Sequence, residues 1–258
     1  MNPGPADPVR VLHFTDPHLF ADASGALRGT VTLDSLTAVI ADIRSRDWPA
    51  DLVFMTGDVI QDDTAEAYGR FVDAASVLGL PMLCVPGNHD VRPLMQAALD
   101  RAPFHYCGTL RAGNWAFTGI DSCIDGSAGG VISADELGRL RQTLGRETAE
   151  HVAICLHHPP LPMNSKWLDT VGLDNADDFL AIISDSGNVR AAVFGHVHQV
   201  FDETIDGVRI IGTPSTCAQF LPLSDEFALD TKPPAYRRLT FQSDGTIETE
   251  LMWLDKDE

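Results

Sequence analysis

Apolar runs of strand length that alternate with helix-period segments constrain the fold of this chain most strongly. The runs cover residues 9–15, 52–56, 82–85, 115–120, 152–156 and 191–194, and a polar turn follows each of them. Segments with apolar residues at helical spacing lie between most of the runs, at residues 32–46, 64–78, 133–144 and 175–184. Buried strands that alternate with amphipathic helices are typical of an α/β fold, and we predict that class.

The pattern changes after Gly195. Strand-like segments at 198–203, 208–211, 236–242 and 246–253 follow one another without a helical segment, and the pairs Asp206-Gly207 and Asp244-Gly245 suit hairpin turns. We expect this part, about residues 196–258, to be mainly antiparallel β. Because no linker, repeat or low-complexity segment divides the chain, we expect one domain over residues 1–258, with two stacked sheets and helices outside them.

The charge balance restricts the partners of this protein. The 258 residues, 44% of them hydrophobic, can bury a substantial core, and 37 acidic against 18 basic residues give a formal net charge of −19. This charge repels long polyanions, and the chain lacks the basic stripe of a nucleic-acid binder, so we expect no nucleic-acid partner. An anionic substrate must then be small, and a bound metal would supply the positive charge that attracts it.

The sequence favours a cytoplasmic protein without a membrane partner. The longest uncharged apolar runs, such as residues 152–156, are too short to cross a bilayer, and the first ten residues are polar and proline-rich where a secretory signal is apolar. The five cysteines form no CxxC pair, and two of them lie inside strand-like runs, where a thiol behaves as a small hydrophobe. A reducing compartment fits this usage best.

Residues that commonly bind metals collect where the apolar runs end. Five run ends carry them, and they are Asp16 with His18, Asp58, Asn88 with His89 and Asp90, His157 with His158, and His196 with His198. In open α/β sheets the carboxyl ends of the strands form the binding site. If the chain stays extended after the first run, its alternation turns Asp16 and His18 to the same side. Gly57 allows a sharp turn that brings Asp58 close to a neighbouring strand end.

Each of these motifs alone is weak evidence. A Gly-Asp pair is common, and a single histidine at a strand end is more often hydrogen-bonded structure than a metal ligand. Five run ends in the order DxH, GD, GNHD, HH and GHxH rarely arise by chance. The combination therefore favours a metal site over unrelated structural residues.

With these motifs the sequence resembles the calcineurin-like metallophosphoesterase superfamily over most of its length. The resemblance implies an α/β fold in the form of a four-layer α/β/β/α sandwich of the metallophosphoesterase type, with two metal ions at the sheet ends. It assigns the first metal to Asp16, His18, Asp58 and His198, and the second to Asp58, Asn88, His157 and His196. Oxygen and imidazole ligands without a thiolate suit iron, manganese, zinc or cobalt, and the sequence does not choose among them.

The same resemblance implies phosphoester hydrolysis. Two ions about 3.5 to 4 Å apart share a solvent molecule, and the hydroxide that forms between them attacks phosphorus. His89 is implied to be catalytic, either as a transition-state stabiliser or as the acid for the leaving oxygen. Asn88, His89 and His158 are implied substrate contacts, although packing explains His158 equally well. Asp90 either orients His89 or caps the helix that starts near residue 91.

Two later stretches bear on the substrate. The proline-stiffened loop at residues 157–169 and the stretch GTPSTCAQF at 212–220 resemble one branch of the superfamily. That branch contains the bacterial class III cyclic nucleotide phosphodiesterases, which convert 3′,5′-cyclic AMP to the 5′-monophosphate, and the related glycerophosphodiesterases. The 212–220 stretch, with FALD and PAYR after it, is closer to the cyclic AMP enzymes. Asn164 or Trp167 are hypothetical contacts of the nucleoside and residues 215–219 of its base, although all of them also suit loop packing.

Several alternatives stay open. A glycerophosphodiesterase or a broad-specificity phosphodiesterase shares the same motifs, because one fold supports many specificities. A non-catalytic scaffold of this fold usually lacks some of the ligands, and none is missing here. Superfamily members often form homodimers through C-terminal elements, but no stretch of this sequence proves such an interface. We expect His13, inside the first run, to be structural.

Overall fold

The secondary structure is taken from a computed structural model that describes residues 7–255. The predicted domain limits at residues 1 and 258, and most of the stretch that argued against a secretory signal, lie outside these residues. The strands are β1 (Val9–Phe14), β2 (Ala26–Leu27), β3 (Thr30–Val31), β4 (Leu52–Met55), β5 (Met82–Cys84), β6 (Phe104–Tyr106), β7 (Gly108–Ala112), β8 (Trp115–Gly119), β9 (His151–Cys155), β10 (Val189–Phe194), β11 (Phe201–Ile205), β12 (Val208–Gly212), β13 (Ala235–Phe241) and β14 (Ile247–Trp253). The helices are α1 (Thr32–Ser45), α2 (Ala65–Ala75), α3 (Arg92–Leu99), α4 (Ala134–Arg146) and α5 (Ala176–Asp185).

Two six-stranded sheets form the centre of the fold. The first has the order β14-β13-β1-β4-β5-β6, in which β1, β4, β5 and β6 are parallel and β13 and β14 are antiparallel at one edge. The second has the order β11-β12-β10-β9-β8-β7, with parallel β8, β9, β10 and β12 and an antiparallel strand at each edge. The short strands β2 and β3 form a separate hairpin.

Apolar side chains fill the spaces on both faces of each sheet. Residues such as Phe54 and Val193 pack between the two sheets. The outer face of the first sheet packs against α1 to α3 through residues such as Phe71, and the outer face of the second packs against α4 and α5 through Leu140 and Phe179. Strands that are buried on both faces read as continuous apolar runs, which is why the sequence shows them clearly. The predicted four-layer α/β/β/α sandwich is confirmed.

The sequence patterns missed several short elements. β6 has three residues, β7 is a half-exposed edge strand that contains Arg111, and β2 and β3 have two residues each. β11 begins at Phe201 and not at residue 198, because His198 has a φ of 48° that no strand residue adopts. Within residues 7–255, none of the helices has the length and apolar character of a membrane span.

Candidate metal centre

The five motifs meet at one edge of the sandwich. They follow β1, β4 and β5 in the first sheet and β9 and β10 in the second. The structure brings together the seven predicted ligands, which are Asp16, His18, Asp58, Asn88, His157, His196 and His198. Asn88 is half-buried and the other six are buried, so the side chains face one another with little water between them.

The backbone at this edge is left-handed and not extended. Positive φ angles between 48° and 66° occur at Asp16, His18, Asp58, His196 and His198. Residues other than glycine seldom adopt this conformation, and where it persists the surrounding structure imposes it. The expected extended alternation after β1 is therefore wrong as the reason that Asp16 and His18 share a site. The chain turns at each of these residues instead, and backbone hydrogen bonds from Asp16 N to Gly57 O (3.1 Å) and from His18 N to Asp58 O (3.0 Å) hold the turns together.

Two glycines allow the carboxylates to come close to the backbone. A Cβ atom on Gly87 would lie 2.2 Å from Asp58 Oδ1, and one on Gly195 would lie 2.7 Å from Asp16 Oδ2. Any side chain at either position would displace a carboxylate. The glycines of the GNHD and GHxH motifs are therefore required by the geometry of the acidic residues that face them.

One cluster joins the ends of β1, β4 and β10. The Nε2 atoms of His18 and His198 lie 3.1 Å apart. His198 Nε2 is 3.4 Å from Asp16 Oδ1, and His18 Nε2 is 3.7 Å from Asp58 Oδ2. These four side chains are the set assigned to the first metal.

A second cluster lies beside the first and shares Asp58 with it. Asn88 Oδ1 is 3.2 Å from His157 Nε2 and 3.0 Å from His196 Nδ1. His196 Nδ1 and His157 Nε2 are 3.2 Å apart, and His157 Nε2 is 3.4 Å from Asp58 Oδ1. The two oxygens of Asp58 therefore face different clusters, which is the geometry of a bridging carboxylate.

The ligand atoms of the two clusters are arranged to bind metal ions and not to form hydrogen bonds with one another. His157 Nδ1 lies 2.7 Å from Thr56 O and His198 Nδ1 lies 2.6 Å from Ala218 O, so each ring donates its proton to a carbonyl oxygen and turns the lone pair of Nε2 inward. That lone pair of His157 faces Asn88 Oδ1, which also accepts. Acceptors that converge without a proton repel one another unless a cation lies between them. The arrangement fits one metal ion in each cluster.

Burial and nearby charge shift the pKa values of the histidines in opposite directions. Burial lowers the pKa of His18 to about 4 and the pKa of His196 well below its ordinary value, which keeps both rings neutral. Burial also lowers the pKa of His157, but the adjacent Asp58 carboxylate outweighs it and raises that pKa to about 9. Burial alone would raise the pKa of Asp58, yet the charges of His157, His18 and His89 hold it well below the ordinary value. The field that favours a proton on His157 equally favours a cation beside it.

His89 lies beside both clusters and its ring is held by a residue that the motifs do not include. Its backbone N donates to Asp58 Oδ1 (2.9 Å), and its ring centroid is 5.1 Å from that of His18. Gln61 Nε2 lies 3.1 Å from His89 Nδ1. Because an amide nitrogen only donates, Nδ1 accepts and the ring proton lies on Nε2. His89 therefore has an N–H group on the side of the ring opposite Gln61.

A cavity of 260 Å³ opens over the two clusters. Five of the seven predicted ligands line one side of it together with His89 and Gln61. The other side consists of loops from distant parts of the chain and is mostly apolar. Its residues are Leu27, Arg28, Ala128, Trp167, Leu168, Val171, Ala218, Phe220 and Phe227.

The profile of the calcineurin-like phosphoesterases matches residues 9–200, the segment that carries all five motifs. The chain belongs to the calcineurin-like phosphoesterase family. Among its relatives is the 3′,5′-cyclic adenosine monophosphate phosphodiesterase CpdA of Haemophilus influenzae, which is 36% identical over 244 residues that cover 94% of this chain and 89% of that protein. A protein of the same name from Escherichia coli K12 is 37% identical over 244 residues, with the same two shares.

Solved structures agree with the calcineurin-like phosphoesterase fold. A dimetal phosphatase from Danio rerio superimposes with a TM-score of 0.67 at 16% identity, covering 96% of this chain and 100% of that one. A purple acid phosphatase from yellow lupin seeds superimposes with a TM-score of 0.64 at 14% identity, covering 97% of this chain and 55% of that one. At these identities the likeness concerns the fold alone.

In this calcineurin-like phosphoesterase, His158 does not reach the cavity. Its side chain is fully buried, with Nδ1 2.8 Å from Ser122 Oγ and Nε2 3.3 Å from Ala128 O. Its ring packs against that of His196, with 4.8 Å between the centroids. The geometry contradicts the implied substrate contact and matches the packing alternative, because both ring nitrogens already have partners.

Within the 212–220 stretch, Ser215, Thr216 and Gln219 support the candidate metal centre from behind, whereas Ala218 and Phe220 line the cavity. Ser215 Oγ donates to Asp16 O (2.7 Å), Thr216 N donates to Thr15 O (3.0 Å), and the Gln219 amide bonds to the backbone of Ser215. Of residues 215–219, only Ala218 lines the cavity. The hypothesis that these residues line the base side is therefore wrong except for Ala218.

Of the other two hypothetical nucleoside contacts, only one reaches the cavity. Trp167 is one of the cavity residues. Asn164 is exposed, with a φ of 55°, and does not line the cavity. The proline-stiffened loop therefore contributes its tryptophan and not its asparagine.

His13 is structural, as expected from its place inside β1. Its Nδ1 lies 2.7 Å from Thr213 Oγ1 and its Nε2 lies 2.8 Å from Thr56 Oγ1. Arg237 Nε donates to the same Thr213 hydroxyl (3.2 Å). Because Arg237 only donates, the Thr213 hydroxyl donates to His13, and the ring proton of His13 points to Thr56. This buried chain of hydrogen bonds ties the two sheets together below the predicted ligand His157, whose Nδ1 bonds to the Thr56 carbonyl.

Asp90 has neither of the roles that the sequence left open. Its carboxylate accepts from Gly87 N (2.9 Å), Val59 N (3.1 Å) and the Tyr68 hydroxyl (2.9 Å). Helix α3 has Val91 as its N-cap without a side-chain cap bond, and the ring of His89 bonds to Gln61. Burial, together with the nearby Asp58 charge, raises the pKa of Asp90 to about 7. Asp90 thus closes the GNHD loop and ties it to the segment after β4 and to α2.

Removal of the Tyr68 hydroxyl tests this role of Asp90. The hydroxyl donates to Asp90 and accepts from Val91 N (3.0 Å), so Tyr68→Phe leaves two polar groups short of a partner. We expect the free energy of unfolding to fall by about 1–3 kcal/mol, measured by denaturant titration. Tyr106→Phe is the control, because within residues 7–255 the Tyr106 hydroxyl makes no hydrogen bond, and it should change stability by less than about 0.5 kcal/mol. Equal losses in both variants would contradict the assigned role.

Proposed function

We propose that this chain is a dimetal phosphodiesterase that hydrolyses a 3′,5′-cyclic nucleotide, cyclic AMP above all, to the 5′-monophosphate. The proposal depends on one observation. The two clusters of oxygen and imidazole ligand atoms share Asp58 and lie beside His89 at the base of a cavity. The substrate comes from the relatives named as cyclic AMP phosphodiesterases, which cover 94% of this chain. Family membership and cavity agree with a small anionic diester.

In this proposal the ligands of the two metals are those of the two clusters. Asp16, His18, Asp58 and His198 hold one ion, and Asp58, Asn88, His157 and His196 hold the other. When bound, the two ions supply positive charge for the phosphoryl oxygens and lower the pKa of water enough to make it a nucleophile. The set contains oxygen and imidazole donors only, which suits iron, manganese, zinc or cobalt.

The protein residues position this chemistry and move one proton. The carbonyl oxygens of Thr56 and Ala218 fix the rings of His157 and His198, so the lone pairs are aligned before a metal arrives. The new bond joins water oxygen to phosphorus, and the bond from phosphorus to the 3′ oxygen breaks. His89 in its imidazolium form donates the proton on Nε2 to that leaving oxygen, and the Gln61 amide turns its oxygen to accept from the Nδ1 proton that the neutral ring retains.

A substrate panel on one metal-loaded preparation tests the proposal. Cyclic AMP, glycerophosphocholine and bis(p-nitrophenyl) phosphate are compared at several metal loadings, with metal content measured on each sample. We expect the highest kcat/KM on cyclic AMP, and 5′-AMP as the product. A higher kcat/KM on glycerophosphocholine would favour a glycerophosphodiesterase, and full metal content without hydrolysis of any diester would favour a scaffold.

A further inference from the structure

Three aromatic rings and one arginine line part of the cavity. Trp167, Phe220 and Phe227 contact one another edge to face, with centroid distances of 5.2 to 5.3 Å for the three pairs. The Arg28 guanidinium lies 4.7 Å from the centroid of Phe227. We call these four residues the aromatic wall.

The aromatic wall is continuous with the metal centre. The ring of Phe220 stacks on that of His198 at a centroid distance of 4.1 Å and an interplanar angle of 5°. Only the ring of His198 therefore separates a group bound at its metal from the aromatic wall. Phe227 is 42% exposed, a large fraction for a phenylalanine beside an apolar cluster, so part of its surface is free for a ligand.

Arg28 is held at the mouth of the cavity by a rigid turn. Residues Arg28 and Gly29 connect β2 to β3 with φ angles of 53° and 87°, as in a two-residue type I′ hairpin. Among the residues that the structure describes, Arg28 is the only lysine or arginine that lines the cavity. Within residues 7–255 it makes no ion pair with a carboxylate, although the chain carries a net charge of −19. A cation without a carboxylate partner in an acidic protein is available to a ligand.

We propose that the aromatic wall binds the purine base of the cyclic nucleotide, and that Arg28 donates to the acceptor edge of that base. The inference rests on the proposed function and adds the subsite that recognises the nucleoside. A planar base stacks on aromatic rings and on a guanidinium plane, and each such contact has a large effect on binding. Arg28 only donates, so it suits N7 of either purine and O6 of guanine.

The aromatic wall does not select adenine over guanine. The adenine amino group needs an acceptor, and the cavity residues other than the predicted ligands, within the described part of the chain, include no carboxylate or hydroxyl. Gln61 is engaged with His89, and the carbonyl oxygens of Ala128 and Ala218 accept from His158 and His198. We therefore expect kcat/KM on cyclic GMP to lie within about tenfold of that on cyclic AMP, because Arg28 suits N7 of either purine and gains only the additional O6 acceptor of guanine.

The experiment separates recognition of the base from hydrolysis of the cyclic phosphodiester. It compares cyclic AMP, cyclic GMP and methyl riboside 3′,5′-cyclic phosphate, which has the same cyclic diester and no base. Arg28→Asn removes the guanidinium, and asparagine tolerates the left-handed backbone conformation before Gly29. Phe227→Leu removes an aromatic ring. In both variants kcat/KM on the nucleotides should fall about tenfold further than on the base-free diester, through KM. Arg28→Asn should affect cyclic GMP more than cyclic AMP.

Two variants control for charge and for the loop. Arg141→Asn removes a positive charge on an exposed residue of α4, and Leu223→Ala truncates a side chain that is 72% exposed in the loop that carries Phe227. Both should keep the wild-type ratio of nucleotide to base-free hydrolysis. If wild-type protein hydrolyses cyclic nucleotides but Arg28→Asn and Phe227→Leu lose equally on all three substrates, the aromatic wall does not bind the base. Wild-type protein that hydrolyses other diesters but neither nucleotide overturns the proposed function and the base site together.

Discussion

The Asp58→Asn variant is expected to lose at least one of two metal ions and to hydrolyse cyclic AMP about a thousandfold more slowly or worse, the upper range for loss of one charge-stabilising group. The two oxygens of Asp58 face different clusters, with Oδ1 3.4 Å from His157 Nε2 and Oδ2 3.7 Å from His18 Nε2. An asparagine of the same shape offers only one oxygen and no negative charge. It therefore cannot bridge two cations, and the amide nitrogen turns a proton toward one of them.

Metal content, measured by inductively coupled plasma mass spectrometry, and kcat are the two readouts for Asp58→Asn. Asp202→Asn is the matched control, because Asp202 pairs with Arg209 on the edge strand β11 and belongs to neither cluster. Binding to the native state alone stabilises a protein, so a chelator should lower the melting temperature of the wild type more than that of Asp58→Asn. Two ions per chain in Asp58→Asn would refute the bridging role.

The His89→Ala variant is expected to keep both metals and to lose about 10² to 10⁴ in kcat, the range for removal of a positioned general acid. The ring of His89 bonds to Gln61 and not to a member of either cluster, whereas the contact with Asp58 comes from the backbone N, which alanine retains. Ring removal therefore leaves the metal ligands and their hydrogen bonds in place. The expected result is a loss of rate at full metal content.

Asn88→Ala is the companion variant to His89→Ala, because the two residues are adjacent and only Asn88 offers an oxygen to the second cluster. It should lower metal content and rate together. A substrate with a good leaving group, such as bis(p-nitrophenyl) phosphate, needs no proton on the leaving oxygen, so His89→Ala should lose less on it than on cyclic AMP. Equal metal loss in the two variants, or equal rate loss of His89→Ala on both substrates, would contradict the assignment of His89 as the acid.

Much of the centre could be predicted because its parts are local in the chain. Each predicted ligand follows a buried strand by two to four residues, and the strands are recognisable because both faces are buried. The types of side chain at the end of such a strand can be read from the sequence even when the geometry of the following loop is unknown. The extended conformation assumed after β1 was wrong, yet Asp16 and His18 still lie together, because parallel strands bring their ends to one edge.

Gln61 was missed because no local pattern marks it. It follows Asp58 by three residues and its importance depends on His89, which lies 28 residues further along the chain. The same holds for the Thr56 and Ala218 carbonyl oxygens, since backbone atoms carry no sequence signal at all. A glutamine close after the GD motif is the only hint that the sequence contains.

Asp90 shows most clearly what cannot be predicted from neighbours in the sequence. Both expectations from the sequence used neighbours in the chain, His89 or the helix that follows. The partners that the carboxylate has are Gly87, Val59 and Tyr68, the last two 31 and 22 residues away. Local proximity misleads here because a buried carboxylate takes the donors that tertiary packing offers, and an exposed helix start has water as an alternative partner.

The sequence by itself determined the α/β class, the longer buried strands and the residues that meet at one edge of the sandwich, because burial and side-chain chemistry are properties of short segments. Only the tertiary structure decided which ring nitrogens of His157 and His198 face the two clusters, what Asp90 holds, and that Arg28, Trp167 and Phe227 line one cavity. The physical reason is that these features depend on hydrogen bonds and contacts between segments up to about two hundred residues apart, such as Arg28 and Phe227, and only the packing of the two sheets brings such segments together.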